Sequence, residues 1–179
     1  MASWESIAQK IRVPLSRFGV VLLLFMHPSR QSLVIGGVIA AFGALIRIWA
    51  AGYIDKGKSL ATAGPYAMTR NPLYLGSLFM ALGIFIAGQL YWLLLPFVIL
   101  YIALYYPVMK REEQELLQGY GDSFVAYAGR VPMLFPSFTP AASAPSSFQW
   151  SLVRRNREHR HMIALALLLA FLIVRSYFP

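Results

Sequence analysis

Long runs of apolar residues, separated by short polar segments, dominate this chain. The clearest run, residues 33–53, has about the length needed to cross a bilayer core of roughly 30 Å. A shorter run predicts a first helix at 14–27. Gly88-Gln89, between the runs at 72–88 and 90–109, predicts a tight turn, so that these two runs form a helical hairpin. The pattern predicts an all-α, polytopic membrane helix bundle of about five spans. The further runs are residues 72–88, 90–109 and 161–178.

Composition agrees with a membrane protein. The chain has 179 residues, of which 58% are hydrophobic, whereas soluble domains are roughly 45–50% apolar. This length predicts one integral membrane domain over residues 1–179, without a separate soluble module. Cysteine is absent, which excludes disulfides and thiolate metal sites, and no His or acidic cluster suggests another metal site.

The net charge of +9 is concentrated in segments between the apolar runs, on one predicted side of the membrane. By the positive-inside rule, the N-terminus, the loop at 55–71 and the segment at 110–160 are expected in the cytoplasm. Only Arg30 and Arg175 fall on the other side. This pattern indicates orientation and contact with anionic membrane lipids, and not nucleic-acid binding.

One loop, residues 64–76, leads into the run at 72–88 and is rich in turn-forming and polar residues. Asn71 is a favourable N-cap residue, and Pro72 suits the first helical position, where its missing N–H needs no partner. The helix is therefore predicted to begin at about Pro72, with Arg70 beside the free N–H groups of its first turn. Such a positive pocket suits a carboxylate or a phosphate, and we expect a ligand there.

Two acidic residues, Glu112 and Glu113, follow the fourth apolar run, which the hairpin places beside Arg70 on the same membrane face. Taken singly, these charges are equally well explained as interfacial residues on solvated helix faces. Together they predict a site for a small zwitterionic molecule. An aromatic segment that includes Tyr127 and the stiff apolar loop at 133–136 are expected to fold over this site as a lid.

Three other features are open to a structural or a functional interpretation. Arg47 lies within a predicted span, where it either snorkels to the interface or contacts cofactor or substrate. The basic run at 154–160 is interpreted as a lipid-facing anchor, within a basic juxtamembrane segment and C-terminal helix at 150–179. The Ala, Ser and Pro content around residues 137–149 predicts a linker.

The residues of the loop and of the acidic pair carry a family resemblance. Gly-Pro-Tyr at 64–66 and Arg-Asn-Pro-Leu-Tyr-Leu-Gly at 70–76, followed by Glu112 and Glu113 and then by Arg130, Val131 and Pro132, resemble the isoprenylcysteine carboxyl methyltransferase family. These are integral membrane enzymes to which phospholipid N-methyltransferases are related. The resemblance covers about residues 46–136, which it identifies as the catalytic core.

The resemblance implies methyl transfer from S-adenosylmethionine to a lipid-like or prenylated substrate that arrives from the bilayer. Carried over position by position, it implies that Arg70 and Glu112 lie nearest the chemistry. It also implies an active site on the cytoplasmic side, and we expect a prokaryotic inner membrane. The implied cofactor-binding residues are Tyr66, Arg70, Asn71, Tyr74, Glu112, Glu113, Leu134 and Pro136, and those expected to bind substrate are Arg47, Tyr127 and Arg130.

The chemical class of the acceptor is ambiguous in the sequence. Asn71 stands where carboxyl methyltransferases usually carry His and is reminiscent of the phospholipid N-methyltransferases, whereas Arg70 resembles the carboxyl branch. A carboxylate is already deprotonated at pH 7, but an amine acceptor needs a base that the loop lacks, so O-methylation is favoured. The alternatives are N-methylation of a lipid amine, an NADPH-dependent membrane reductase, and a non-enzymatic structural or transport protein.

Overall fold

The computed structural model describes residues 22–55, 59–139 and 146–178, and within those ranges all regular structure is helical. The predicted helix at 14–27 lies mostly outside the described residues, as does the middle of the predicted linker. The predicted all-α class is confirmed for the described part of the chain. Its helices are α1 (Arg30–Ala51), α2 (Pro72–Ala87), α3 (Leu94–Tyr120), α4 (Asp122–Ala128), α5 (Trp150–Arg155) and α6 (Glu158–Arg175), with short 3₁₀ helices at Gly64–Ala67 and Tyr91–Leu93.

Helix α1 begins three residues before the predicted apolar run because its first turn is capped by polar side chains. The Ser29 side chain accepts a hydrogen bond from the Ser32 backbone N–H, and the Ser32 side chain accepts one from the Ser29 N–H. This capping box satisfies two N–H groups that would otherwise lack partners. The Ser32 hydroxyl also donates to the Ala87 carbonyl, at 3.0 Å, and so joins the start of α1 to the end of α2.

Helices α1 and α2 pack with their backbones nearly in contact. A Cβ added to Gly83 would lie 2.4 Å from the Ala40 nitrogen and 2.5 Å from the Gly36 carbonyl oxygen. One to two turns away, a Cβ on Gly43 would lie 2.5 Å from the Gly76 carbonyl oxygen. Small residues therefore let two apolar helices approach closely, as predicted for α2, and this packing fixes where α2 begins relative to α1.

Helix α3 continues from its apolar part into a charged one without interruption, as the sequence predicted. It ends at Tyr120, where Gly121 adopts a positive φ of 51° that favours glycine. The short α4 follows, and the next loop folds back onto the segment before α2. There the Arg70 N–H donates to the Pro132 carbonyl, and the Ser137 N–H donates to the Met68 carbonyl, each at 2.9 Å. The predicted fold-back of the lid is confirmed.

Two helices of the described part are long and apolar enough to cross a membrane, Arg30–Ala51 and Tyr91–Tyr120, while α2 is apolar but shorter. These lengths indicate a membrane protein. Helix α6 starts at Glu158, three residues earlier than predicted, because Glu158 is buried at 3% exposure against Arg47 of α1. The five-span topology stays a prediction.

Candidate active site

Three segments converge at the charged end of the bundle: the loop before α2, the polar half of α3 and the loop after α4. The Thr69 hydroxyl is within hydrogen-bond distance of the carbonyls of Met133, at 3.2 Å, and Leu134, at 2.9 Å. The Asn71 side chain donates to the Met133 carbonyl at 3.1 Å. Asn71 does occupy the N-cap position of α2, but its side chain makes no cap bond. It ties the lid to the loop instead.

Arg70 forms an ion pair with the acidic residues of α3, as the hairpin predicted, but with the second of the two. Its Nη1 lies 2.9 Å from Oε1 of Glu113, and both side chains are largely buried, at 16% and 12% exposure. Lys110 also contacts Glu113, at 3.2 Å. Glu112 instead accepts a hydrogen bond of 2.8 Å from the Tyr74 hydroxyl on α2. Both carboxylates are therefore attached to groups at or near the start of α2.

Buried polar atoms at this site lack hydrogen-bond partners among the described residues. They are the Tyr66 hydroxyl, Nε of Arg70 and Oε1 of Glu113. The contact of Oε1 with Arg70 is close enough for an ion pair but does not have the alignment of a hydrogen bond. A buried polar group without a partner costs roughly 1–3 kcal/mol. Two of them, one donor and one acceptor, belong to the Arg70–Glu113 ion pair, and together they fit a ligand that carries both a carboxylate and an ammonium group.

The lid closes one side of this region with aromatic and apolar side chains. The Tyr127 hydroxyl of α4 donates to the Tyr66 carbonyl at 2.7 Å. Burial raises the pKa of the Tyr66 hydroxyl above its usual range, and the neighbouring Tyr127 raises it further. Burial likewise raises the pKa of the Tyr127 hydroxyl. Leu134 packs in a buried cluster with Leu75 and Met109. Both tyrosines therefore stay neutral at physiological pH, and apolar packing holds the lid in place.

The structure brings most of the predicted site residues together but leaves two of them apart. Nε of Arg130 donates to the Ala126 carbonyl on an exposed surface. Arg47 lies in a buried cluster, where its donors contact Glu158, His161, Ser77 and the Leu73 carbonyl. Pro136 is half-buried near the end of the lid. The substrate-binding roles expected of Arg47, Tyr127 and Arg130 stay predictions.

Two residues with clear structural roles were not singled out by the sequence analysis. Thr69 holds the lid loop through its hydroxyl. The sequence around this threonine does not indicate that its hydroxyl binds a loop more than 60 residues later in the chain. Glu158 pairs with Arg47. The one feature of the sequence that could have pointed to this role is its position as a single acidic residue within the basic run at 154–160. Across the described ranges, no three His, Cys, Asp or Glu side chains form a group that could hold a metal ion.

Comparison with known proteins finds two metal-resistance proteins and one sterol reductase among the relatives of this chain. The cobalt-zinc-cadmium resistance protein CzcN of Cupriavidus metallidurans is 35% identical over 130 residues, 66% of this chain and 59% of that protein. The nickel-cobalt-cadmium resistance protein NccN of Alcaligenes xylosoxydans is 35% identical over 110 residues, 60% of this chain and 51% of that protein. The chain thus spans little more than half of either relative.

A third relative is an enzyme. The mouse Delta(14)-sterol reductase TM7SF2 is 42% identical over 77 residues, which are 42% of this chain but only 18% of that enzyme. This is a local similarity. No solved structure matches the chain.

The family assignment rests on a family model that covers more than half of the chain. The model of the phospholipid methyltransferase family matches residues 31–123, which run from the start of α1, through the loop with Arg70 and the Glu112-Glu113 pair, into α4. This is more than half of the 179 residues. The resemblance identified in the sequence is to the same group of membrane enzymes. The chain belongs to the phospholipid methyltransferase family, which indicates a membrane methyltransferase.

Proposed function

We propose that this protein is an S-adenosylmethionine-dependent methyltransferase whose cofactor binds between Arg70, the Glu112-Glu113 pair and the lid. The observation that carries the proposal is the buried Arg70–Glu113 ion pair, in which Nε of Arg70 and Oε1 of Glu113 have no hydrogen-bond partner among the described residues. Membership of a methyltransferase family supports it independently.

The side chains at the site match the charged groups of the cofactor. Nε of Arg70 is a donor for the carboxylate of the methionine portion, and the Glu112 and Glu113 carboxylates suit its ammonium group. The Tyr66 hydroxyl is a further neutral donor. The Asn71 side chain holds the lid loop, and the Tyr74 hydroxyl holds Glu112, each through a hydrogen bond. Leu134 and Pro136 of the lid would exclude water from the bound molecule.

When bound, S-adenosylmethionine supplies an electrophilic methyl group carried on a sulfonium. Methyl transfer is a displacement that needs alignment more than acid–base help, so we assign to the chain mainly the tasks of positioning and desolvation. Arg70 and Glu112 are proposed as the residues nearest the reacting atoms. The ion pair of Arg70 with Glu113 holds that guanidinium in place.

The acceptor is proposed to be a membrane-embedded amphiphile with a carboxylate, of the isoprenylcysteine type. Tyr127 and Arg130 are proposed to contact it at the lid. An amine lipid is the alternative, because Asn71 is reminiscent of the N-methylating branch. Transfer of a labelled methyl group to a prenylated cysteine and to phosphatidylethanolamine separates the two, since a methyl ester is released by base and an N-methyl group is not.

The proposal is tested by equilibrium binding of S-adenosylmethionine to the protein reconstituted in lipid nanodiscs. We expect saturable binding that Arg70→Ala weakens by about 10- to 100-fold, because a hydrogen bond to a charged group contributes about 1.5–3 kcal/mol. Arg111→Ala is the matched control, because Arg111 is exposed and pairs with Glu115 on the helix surface, where such pairs contribute little. Absence of binding by folded wild-type protein would overturn the proposal.

An NADPH-dependent reductase is the second candidate function, and the local similarity to a sterol reductase is the observation that favours it. The same binding experiment decides between them when NADPH is included as a competitor. Displacement of S-adenosylmethionine by NADPH, or saturable NADPH binding alone, would replace the methyltransferase proposal by the reductase. If NADPH neither displaces S-adenosylmethionine nor binds by itself, the methyltransferase proposal is retained.

A further inference from the structure

An apolar groove lies on a different part of α2 from the Arg70 site. It has a volume of about 450 Å³ and is lined by hydrocarbon side chains of α2, α6 and residues 22–26, among them Met26, Ile84 and Leu168. Its lining residues on α2 extend from Ser77 to Phe85, a rise of about 12 Å. The volume falls within the roughly 300–1,000 Å³ of small-molecule sites. The groove thus has the dimensions for one extended hydrocarbon chain.

One end of the groove is polar, but its charges are already paired. Arg47, Ser77 and His161 line that end. Nε and Nη2 of Arg47 donate to the two oxygens of Glu158, at 2.9 and 2.8 Å. Its remaining N–H groups reach the Leu73 carbonyl, Ser77 and Nδ1 of His161. All five guanidinium donors are engaged, so Arg47 and Glu158 form a neutral pair with no donor left for a ligand.

His161 is the group at this end that can still bind a ligand. Nη2 of Arg47 lies 3.3 Å from Nδ1 of His161. Nδ1 also lies 3.6 Å from Oε2 of Glu158, so it faces both a donor and an acceptor. Nε2 is the ring nitrogen left for a ligand; it donates in one neutral tautomer and accepts in the other. The His161 side chain is 53% exposed, and it places a ring nitrogen that makes either kind of hydrogen bond at the end of an otherwise apolar groove.

From this arrangement we propose that the groove binds an uncharged single-chain amphiphile, of the long-chain alcohol class. The chain lies along α2 and α6, and the head-group hydroxyl, which both donates and accepts, forms a hydrogen bond with Nε2 of His161. A carboxylate or ammonium head is disfavoured, because Arg47 and Glu158 already neutralise each other and leave no charge of opposite sign to pair with it. The site is additional to the cofactor site and does not depend on which molecule accepts the methyl group.

The test is photo-crosslinking of diazirine-labelled dodecanol to the full chain in lipid nanodiscs, with the labelled residues mapped by mass spectrometry. We expect labelling of residues 77–85 and 161–168. Unlabelled dodecanol is expected to compete about tenfold better than dodecanoate or dodecylammonium, a difference of about 1.4 kcal/mol. Equal competition by either charged compound would overturn the assigned ligand class.

Filling the groove supplies the second arm. Ala81→Trp and Ala164→Trp each place an indole among the lining residues, and we expect each to reduce labelling by about tenfold or more. Ala103→Trp, on an exposed position of α3, is the matched control and should leave labelling unchanged. Thermal unfolding confirms that each variant is folded; if Ala81→Trp is not, Ala164→Trp decides. Labelling that persists in a folded groove variant would exclude this site.

Removing the ring nitrogen that binds the head group supplies the third arm. His161→Phe keeps a flat ring at the polar end but has no group that forms a hydrogen bond. It is expected to abolish the preference for dodecanol over dodecane as competitor. Retention of that preference would show that His161 does not bind the head group. Binding of S-adenosylmethionine, measured in parallel, should be unaffected, so failure here is distinguishable from failure of the proposed function.

Discussion

A buried hydroxyl, that of Tyr66 in the loop before α2, has no hydrogen-bond partner in the described part of the chain. Tyr66 is 6% exposed, and its backbone carbonyl is held by Tyr127. An unpaired hydroxyl destabilises the ligand-free fold, whereas one that meets a ligand strengthens binding. Removing the hydroxyl is therefore expected to stabilise the ligand-free protein and to weaken ligand binding.

The first prediction concerns Tyr66→Phe. It removes only the hydroxyl, so thermal stability should be unchanged or slightly higher, while the Kd for S-adenosylmethionine should rise by about tenfold. Tyr127→Phe is the matched change, since it deletes a hydroxyl that is bonded. It should lower the free energy of unfolding by about 1 kcal/mol. Unaltered cofactor affinity in Tyr66→Phe would show that the hydroxyl does not face the ligand.

At the scale of elements, the contact between α1 and α2 depends on glycines. The second prediction is that Gly83→Ala destabilises the protein by about 1–3 kcal/mol, because the new methyl group would overlap backbone atoms of α1. Gly37→Ala is the control, because a Cβ there meets nothing within 4 Å. It should be neutral or stabilising by up to about 1 kcal/mol. Thermal unfolding of both variants measures the difference, and equal melting temperatures would refute the close packing.

The pairing of α6 with α1 gives the third prediction. Arg47 and Glu158 are buried, at 8% and 3% exposure. Removing one charge by Arg47→Met leaves the other without its partner and should cost about 3–5 kcal/mol of stability. The double variant Arg47→Met with Glu158→Met should recover most of this loss, because it buries no unpaired charge. A double variant as unstable as the single one would show that the pair itself is not responsible.

At the scale of the whole molecule, the fourth prediction concerns orientation. The chain has no cysteine, so each engineered cysteine reports one position. Arg111 and Trp92 are exposed. Trp92 lies in the 3₁₀ helix that precedes α3, and Arg111 lies in α3 just past its apolar part. The positive-inside rule places Arg111 in the cytoplasm. In intact cells an impermeant thiol reagent should therefore label Trp92→Cys but not Arg111→Cys. The reverse pattern would invert the topology.

The sequence predicted the elements well because each is determined by local chemistry. The apolar runs and the turn before Leu90 predicted α1, α2 and α3 to within a few residues. The proline after Asn71 likewise located the start of α2. Two helix starts were predicted too late, because polar residues there interrupt the apolar run. At the start of α1 these polar groups are satisfied by a capping box, and at the start of α6 Glu158 is paired with Arg47.

The sequence by itself determined which groups meet at the charged end of the bundle, because a hairpin with a short turn must bring residues 70 and 112–113 to the same face. The family followed from the same residues. Only the tertiary structure decided the partners. Arg70 pairs with Glu113 while Glu112 takes Tyr74, Asn71 binds the lid, and Arg47 is neutralised by an acid far away in sequence. Such choices depend on helix rotation and packing distance, which hydrophobic periodicity leaves open.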